Sequence, residues 1–405
     1  MKRALSRSNY RAHSHFTMKN PGEIVPDSHT FRRYVAHLLF ILAIVFPCVI
    51  LFRIVHPLDA LPRLAGNSSE NFEGSLENQR IAVIQESDDS TALWETEDNK
   101  LDAVLKKAAM VNKTVILTTL NEAWAAPNSV IDLFLESFRW GERIRQLLDH
   151  LVIVCLDQKA FARCSSIHNH CYALSTEGVD FSGEKYFMTP DYLKMMWRRI
   201  DFLRTVLEMG YNFIFTDADI MWFRNPFPYF YQDTDFQIAC DHFLGNPSDL
   251  ANRPNGGFNY VVSNNRTIEF YKFWYSSRQR YPGFHDQDVL NVIKYDPAIE
   301  VIGLKIRFLS TAYFGGFCEP SKDLNVVCTM HANCCYGLGN KLHDLRIILE
   351  DWRKFMALPI EEKRLRQLSW RAPQNCSPFL NPFFFFRPLQ IEACKHWFSV
   401  LLCNC

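Results

Sequence analysis

Asn212-Phe-Ile-Phe-Thr-Asp217-Ala-Asp219-Ile-Met-Trp-Phe223 sets two carboxylates inside a run that is otherwise almost wholly apolar. Burying a carboxylate without a partner costs on the order of several kcal/mol. A divalent cation that also holds an anionic ligand is the most economical compensation. If Phe213 to Thr216 is a strand that ends there, residues two apart point the same way and both acids share a face. Turn capping by the pair is the competing explanation. Capping, however, needs one Asp and no apolar frame.

Outward from this stretch, short β-branched runs alternate with amphipathic helices. Thr114-Val-Ile-Leu-Thr-Thr-Leu120 reads as a first strand, and Val130, Leu133, Phe134 and Phe138 then fall on one helical face. Leu151-Val-Ile-Val-Cys-Leu156 is a second buried strand, ending at Asp157. Leu193, Met196, Ile200, Leu203 and Leu207 repeat at helical spacing, and Gly210 stops that helix before the Asp-Ala-Asp strand. This β-α-β rhythm predicts an α/β domain with a mostly parallel, Rossmann-like sheet and helices on both faces. Ligands of such sheets sit beyond the carboxyl ends of the strands. Thr119, Asn121, Asp157, Asp217 and Asp219 all fall there, although Thr119 and Asp157 taken singly suit turns as well.

No G-x-G-x-x-G or G-x-x-x-x-G-K-[ST] follows the first strand, which argues against a dinucleotide oxidoreductase and a P-loop ATPase. Formal net charge of zero gives no case for nucleic-acid binding. The later segments add candidates. Asn255-Gly256-Gly257-Phe-Asn-Tyr260 permits close backbone approach to a ligand, or forms a tight turn. His285-Asp286-Gln287-Asp288 opens a helix, where an Asp serves either as cap or as functional group. His331, then Gly337 and Lys341 at a helix start, suit a metal next to a phosphate.

The ends of the chain point to a compartment. Residues 1–33 carry Lys2, Arg3, Arg7, Arg11, Lys19, Arg32 and Arg33 against Glu23 and Asp27. An apolar run follows, and residues 34–55 give the roughly 20 residues that span a bilayer. The run starts late for a cleaved signal peptide, so a single-pass signal anchor with a cytosolic N-terminus is expected. Residues 56–100 are polar and acidic and read as a lumenal stem; 101–376 read as one globular catalytic unit. Residues 377–405, apolar without period, form an atypical tail to which no chemistry is assigned. In a lumen most of the 13 cysteines are expected in disulfides. Cys328, His331, Cys334 and Cys335 have zinc-like spacing, but pairing with partners such as Cys318 suits the lumen better. The sequons at Asn67, Asn112 and Asn265 fit the same compartment.

Over about Lys113 to Cys376 the chain resembles the type-A glycosyltransferases. More narrowly, it resembles the plant nucleotide-diphospho-sugar transferases of glycosyltransferase family 77. The resemblance rests on Thr118-Thr-Leu-Asn121-Glu-Ala-Trp124, His150-Leu-Val-Ile-Val-Cys-Leu-Asp157 and Gly210-Tyr-Asn-Phe-Ile-Phe-Thr-Asp217-Ala-Asp219-Ile-Met-Trp222. Asn255-Gly-Gly-Phe-Asn259, Asp286-Gln-Asp288-Val-Leu-Asn291 and His331-Ala-Asn-Cys-Cys335 complete it. Asp-x-Asp alone is a weak motif; the ordered set is specific.

The resemblance implies a Golgi type II membrane enzyme. It would move xylose, arabinose or galactose from a nucleotide-diphosphate donor to a cell-wall polysaccharide or glycoprotein, with retention and with Mn2+ or Mg2+. Asp219 and His331 would bind the metal, with Asp217 on the donor ribose or a metal-bound water. Gln287 and Asp288 would lie under the transferred sugar, and Lys341 near the diphosphate. Thr119, Asn121, Asp157, Asn255, Gly256, Gly257, Asp286 and Gly337 complete the expected donor site. Related enzymes place a lysine on the helix before Asp-x-Asp; here Arg199 takes that position, with Lys194 as the other candidate. Arginine keeps the charge but not the shape. Two other classes compete. A non-catalytic glycan-binding or chaperone-like relative would retain the same residues, whereas a phosphoaspartyl phosphatase would want Thr or Val where Met221 stands.

Overall fold

A computed structural model describes residues 98–176, 178–365 and 368–376. The expected cytosolic tail, the anchor at 34–55, nearly all of the stem and the 377–405 tail lie outside the described residues. No helix among the described residues is long and apolar enough to cross a membrane. Chain contacts separate Met1–Gln79 from Arg80–Cys405, and every described residue belongs to the second unit.

Helix α1 covers 98–108 and so begins inside the segment expected as stem; it buries Leu101, Leu105 and Ala108. Strand β1 (Thr114–Leu120) follows, then the one-turn helix α2 (Glu122–Ala125) and α3 (Val130–Trp140). Next come β2 (Leu151–Cys155), α4 (Gln158–Ile167), β3 (Cys171–Ala173), α5 (Pro190–Glu208), β4 (Asn212–Thr216) and β5 (Ile220–Trp222). The second half holds β6 (Phe236–His242), β7 (Arg253–Val261), α6 (Asn265–Ser277), α7 (Asp286–Ile293), α8 (Pro297–Ile302) and β8 (Ile306–Phe308). Strands β9 (Phe314–Gly316) and β10 (Thr329–His331) precede α9 (Leu338–Ala357) and α10 (Ile360–Leu365).

Seven strands form the main sheet in the order β3-β2-β1-β4-β7-β6-β8. All run in one direction except β7, which is antiparallel to both β4 and β6. The sheet is therefore mostly parallel, as expected. The exception arises because β6 and β7 are joined directly through 243–252, with no crossover helix to reverse the chain. The Asn255-Gly-Gly-Phe sequence lies inside β7 rather than in a tight turn.

The strands are buried on both faces, as helices on either side of a sheet require. Ile116, Leu120, Ile153 and Ile214 pack with Phe134 and Phe138 of α3 and with Leu345, Ile348 and Trp352 of α9. The opposite face sets Val115, Leu117, Phe213 and Phe215 against Ile200, Leu203 and Leu207 of α5 and Tyr271 and Trp274 of α6. Burial of side chains this size contributes about 1.5–3 kcal/mol each, which fixes both helical layers. Helix α5 starts cleanly because Pro190 fills its first turn and the Thr189 hydroxyl accepts from Tyr192 N–H.

A small sheet, β5-β10-β9, packs beyond the end of β4. Antiparallel pairing of β10 with β5 puts His331 opposite Ile220. Two chain segments more than a hundred residues apart thereby meet beside Asp219.

Candidate active site

The two aspartates lie in the turn between β4 and β5, not on the strand itself. Their alignment thus comes from a backbone turn and not from strand alternation. Asp217 N–H donates to Gly257 O at 2.7 Å, and Asp219 O accepts from Ala332 N–H at 3.0 Å. These two bonds tie the triplet to β7 on one side and to the end of β10 on the other. Asp217, Asp219 and His331 each present one ligand atom, all within 4.8 Å of one another.

Cations surround this cluster. Lys341 Nζ donates to Asp219 Oδ2 at 2.5 Å and to Ala332 O at 3.0 Å. Arg199 donates through Nη1 to Asp217 Oδ1 at 2.9 Å and through Nη2 to Asp286 Oδ2, so one buried guanidinium bridges two carboxylates. Its Cζ lies 4.9 Å from the centre of the Phe215 ring. Burial drives the Asp219 carboxyl upward, but Lys341 and His331 outweigh it and hold the group below the usual carboxylate range. At Asp217 burial prevails over Arg199, and the neighbouring Asp219 charge adds to it, so that carboxyl is raised. Asp286 is likewise buried, yet the Arg199 guanidinium, the largest of the opposing causes, brings it down to about 2.

The donor set fits a divalent cation. Asp219 is 1% exposed and its Oδ1 has no hydrogen-bond partner, although His331 Nε2 stands 3.2 Å away. A buried carboxylate oxygen left in this way is costly unless something cationic completes it. The backbone makes the room. A Cβ on Gly257 would lie 2.6 Å from both Asp217 Oδ2 and His331 Cε1, so only glycine lets these two ligands converge. Two carboxylates and an imidazole are hard-to-borderline donors that suit Mn2+ or Mg2+.

A cavity of about 750 Å3 opens over the cluster. Thr119 and Asn121 from the strand ends line it, together with Asn255, Gly257, Asp286, Gln287, Asp288, Gly337 and Lys341. Asn121 also caps α2 and donates to the carbonyls of Phe181 and Gly183. Gly256 does not itself line the cavity; its N–H donates to Gln287 Oε1 at 2.9 Å beneath it. Gly337, at φ +85°, turns the chain into α9 and so aims Lys341 at Asp219.

Two expected residues stand elsewhere. Asp157 does not line the cavity; its carboxylate accepts from Glu122 N–H and Ala160 N–H and joins the starts of α2 and α4. Lys194 is exposed on α5 and also lies off the cavity, because helical spacing puts it away from the face that carries Arg199. The zinc-like cysteines are structural. Cys334 pairs with Cys318, Cys335 pairs with Cys376, and Cys328 is a buried free thiol.

Other groups were not anticipated. Asp241, at the end of β6, accepts from Asn255 Nδ2 at 2.7 Å, Asn333 Nδ2 at 2.8 Å and Gln287 Nε2 at 2.8 Å. It locks β7, α7 and the segment after β10 together at the cavity floor. Its signal was available: Phe236-Gln-Ile-Ala-Cys-Asp241 is an apolar strand run that ends in an acid. Tyr186, Phe187 and Tyr336 line the cavity and are at least 40% exposed, which makes an aromatic rim from two separate segments.

A family model described as nucleotide-diphospho-sugar transferase matches residues 146–345, a span that contains Arg199, both aspartates of the triplet, Asp241, Asp288, His331 and Lys341. An uncharacterized protein of Arabidopsis thaliana is 51% identical over 320 residues, covering 78% of this chain and 82% of the relative. The beta-arabinofuranosyltransferase RAY1 of the same plant is 25% identical over 174 residues, covering 42% of this chain and 30% of that protein. A UDP-galactose:fucoside alpha-3-galactosyltransferase of Dictyostelium discoideum is 39% identical over 72 residues, covering 16% and 10%.

Proposed function

Because the chain belongs to the nucleotide-diphospho-sugar transferase family, we propose that its cavity transfers a sugar from a nucleotide-diphosphate donor to a glycan or glycoprotein acceptor. The observation that carries this reading is the convergence of Asp217, Asp219 and His331 beside Lys341 and Arg199 in a cavity of about 750 Å3. An acidic, imidazole-bearing cluster flanked by two cations matches a diphosphate bound through a metal. A bare anion site would carry no carboxylates. Asp217, Asp219 and His331 would hold a divalent metal, which would supply neutralisation of charge on a departing diphosphate. Lys341, which donates to Asp219, would stand close to that phosphate charge, and Arg199 holds Asp217 and Asp286 in fixed orientation.

Gln287 has both ends engaged, by Gly256 N–H and by Asp241. It therefore shapes the floor and performs no proton transfer. Asp288 keeps its carboxylate toward the cavity, where it stabilises a sugar that becomes cation-like as the phosphate leaves. The reading includes retention through same-face attack, with the departing phosphate taking the acceptor proton; Asp288 as a transient nucleophile is the rival route. The rim formed by Tyr186, Phe187 and Tyr336 offers flat apolar faces of the kind sugar rings pack on.

The distant named relatives support arabinose or galactose as the sugar, with xylose in the same size range. Three disulfides among the described residues suit an oxidising lumen. With the basic leader and the apolar run at 34–55, they support a single-pass Golgi membrane protein with a lumenal catalytic unit.

The test is a thermal-shift and transfer screen of purified full-length protein against nucleotide sugars, with and without Mn2+ or Mg2+. Donor-selective, metal-dependent stabilisation and turnover are expected. Asp219→Asn should lower turnover by at least about 100-fold, on the scale of removing a charge-stabilising group, and should abolish the metal-dependent shift. Normal turnover in that variant would overturn the assignment.

A further inference from the structure

Among the acids that line the cavity, Asp288 is the one whose carboxylate accepts no hydrogen bond. Asp217 and Asp286 share Arg199, Asp219 has Lys341, Asp241 has three amide donors, and Glu184 accepts from Leu338 N–H. One group faces it. His285 Nε2 lies 3.5 Å from Asp288 Oδ2, and the His285 side chain is 7% exposed.

The other ring nitrogen decides where the proton sits. His285 is the N-cap of α7, and its Nδ1 accepts from Gln287 N–H at 3.1 Å and from Asp288 N–H at 3.4 Å. A nitrogen that accepts must present a lone pair, so a neutral ring carries its hydrogen on Nε2. Asp286 Oδ1 is also 3.5 Å from Nδ1, but a proton placed there would point into two backbone donors. The ring cannot swing away. Phe187 packs edge-on at a 5.2 Å centroid distance and Tyr192 at 6.4 Å.

We propose that His285 is a positioning residue: it caps α7 through Nδ1 and, through the hydrogen thereby forced onto Nε2, orients the Asp288 carboxylate toward the transferring sugar. This rests on the transferase reading above. Helix capping and carboxylate orientation are thus coupled in one ring. The Nε2 hydrogen faces Asp288 without cancelling its charge, as Arg199 does at Asp217 and Asp286 and Lys341 does at Asp219.

Two variants of the full chain separate the roles. His285→Asn keeps an oxygen near the Nδ1 position and removes the Nε2 hydrogen. It should lower kcat by about 10- to 100-fold, the scale seen when an orienting partner is removed, while Tm and donor KM hold. His285→Gln returns an N–H near the Nε2 position and loses the cap, so it should recover most of that turnover while Tm falls. Wild-type kcat in His285→Asn, or parallel losses of kcat and Tm in both variants, would overturn the proposal. If the wild-type protein turns over no nucleotide sugar, the transferase reading fails on its own. The histidine claim is then read from imidazole 15N NMR of the wild type. An unprotonated Nδ1 with Nε2–H upholds it, and the Nδ1–H tautomer overturns it.

Discussion

At Gly257 a single methyl group is too much. The added carbon would sit 2.6 Å from Asp217 Oδ2 and from His331 Cε1, and 2.9 Å from Asn255 Oδ1. Gly257→Ala should therefore separate the two ligands and weaken metal affinity by about 10–100-fold, as displaced supporting groups do. Titration of Mn2+ by calorimetry against the wild type checks this, and unchanged affinity would remove the steric argument. The chemistry of the aspartates was legible in the sequence because an apolar frame around two acids demands compensation. The role of Gly257 was only half legible: the glycine pair signalled close approach, but the group it approaches is set by the β4–β7 register. Asp157 shows the limit from the other side. An acid at a strand end looks the same on paper whether it meets a ligand or two helix N-termini, and here the neighbouring α2 claims it.

The segment from His331 to Gly337 depends on cross-links at the element scale. Cys334 is bonded to Cys318 and Cys335 to Cys376, with loop separations of 16 and 41 residues. Adjacent cysteines pulled to different partners fix the backbone between the imidazole of β10 and the start of α9. Replacing Cys318 and Cys334 together with serine should lower stability by about 3 kcal/mol, the loop-closure value for a loop near 15 residues. Metal affinity should fall with it, since Asn333 and Lys341 lose their shared anchor. Urea denaturation and Mn2+ titration measured on the same variant test both halves, and intact affinity would show that β10 alone positions His331. Expected pairing rather than zinc ligation followed from compartment reasoning, whereas the identity of the partners required the fold. The rim segment 181–188 was not legible at all. It has no period, and its course is set by Asn121 and by Glu184, whose carboxylate accepts from the first N–H of α9.

Over the whole molecule, stability carries a buried charge remote from the cluster. Lys294 is 4% exposed, donates to Asn252 O at 2.6 Å and to Asn291 Oδ1 at 3.0 Å, and has no carboxylate bonded to it. Burial lowers it from 10.5 to about 8. Between those values the unfolded chain holds a proton that the fold has released, so stability rises as pH climbs from 8 to 10.5, and below 8 the full penalty applies. The span is worth on the order of 3 kcal/mol. Denaturation curves across that range, compared with Lys294→Met, should show the rise flattened in the variant. A rise of the same size in both would assign it to other groups.

The reversed course of β7 has a consequence for how this scaffold can diversify. Six strands point their carboxyl ends toward the pole that holds the cavity, and those of β1, β2, β4 and β6 line it, but β7 begins there. The 243–252 connection, latched by Asn252 and Lys294, therefore lies at the cavity's pole, between the lining residues Asp241 and Asn255, whereas the short link at 262–264 lies at the far pole. An insertion at 243–252 should therefore change which ligands the cavity accepts, whereas one at 262–264 should leave that choice unchanged.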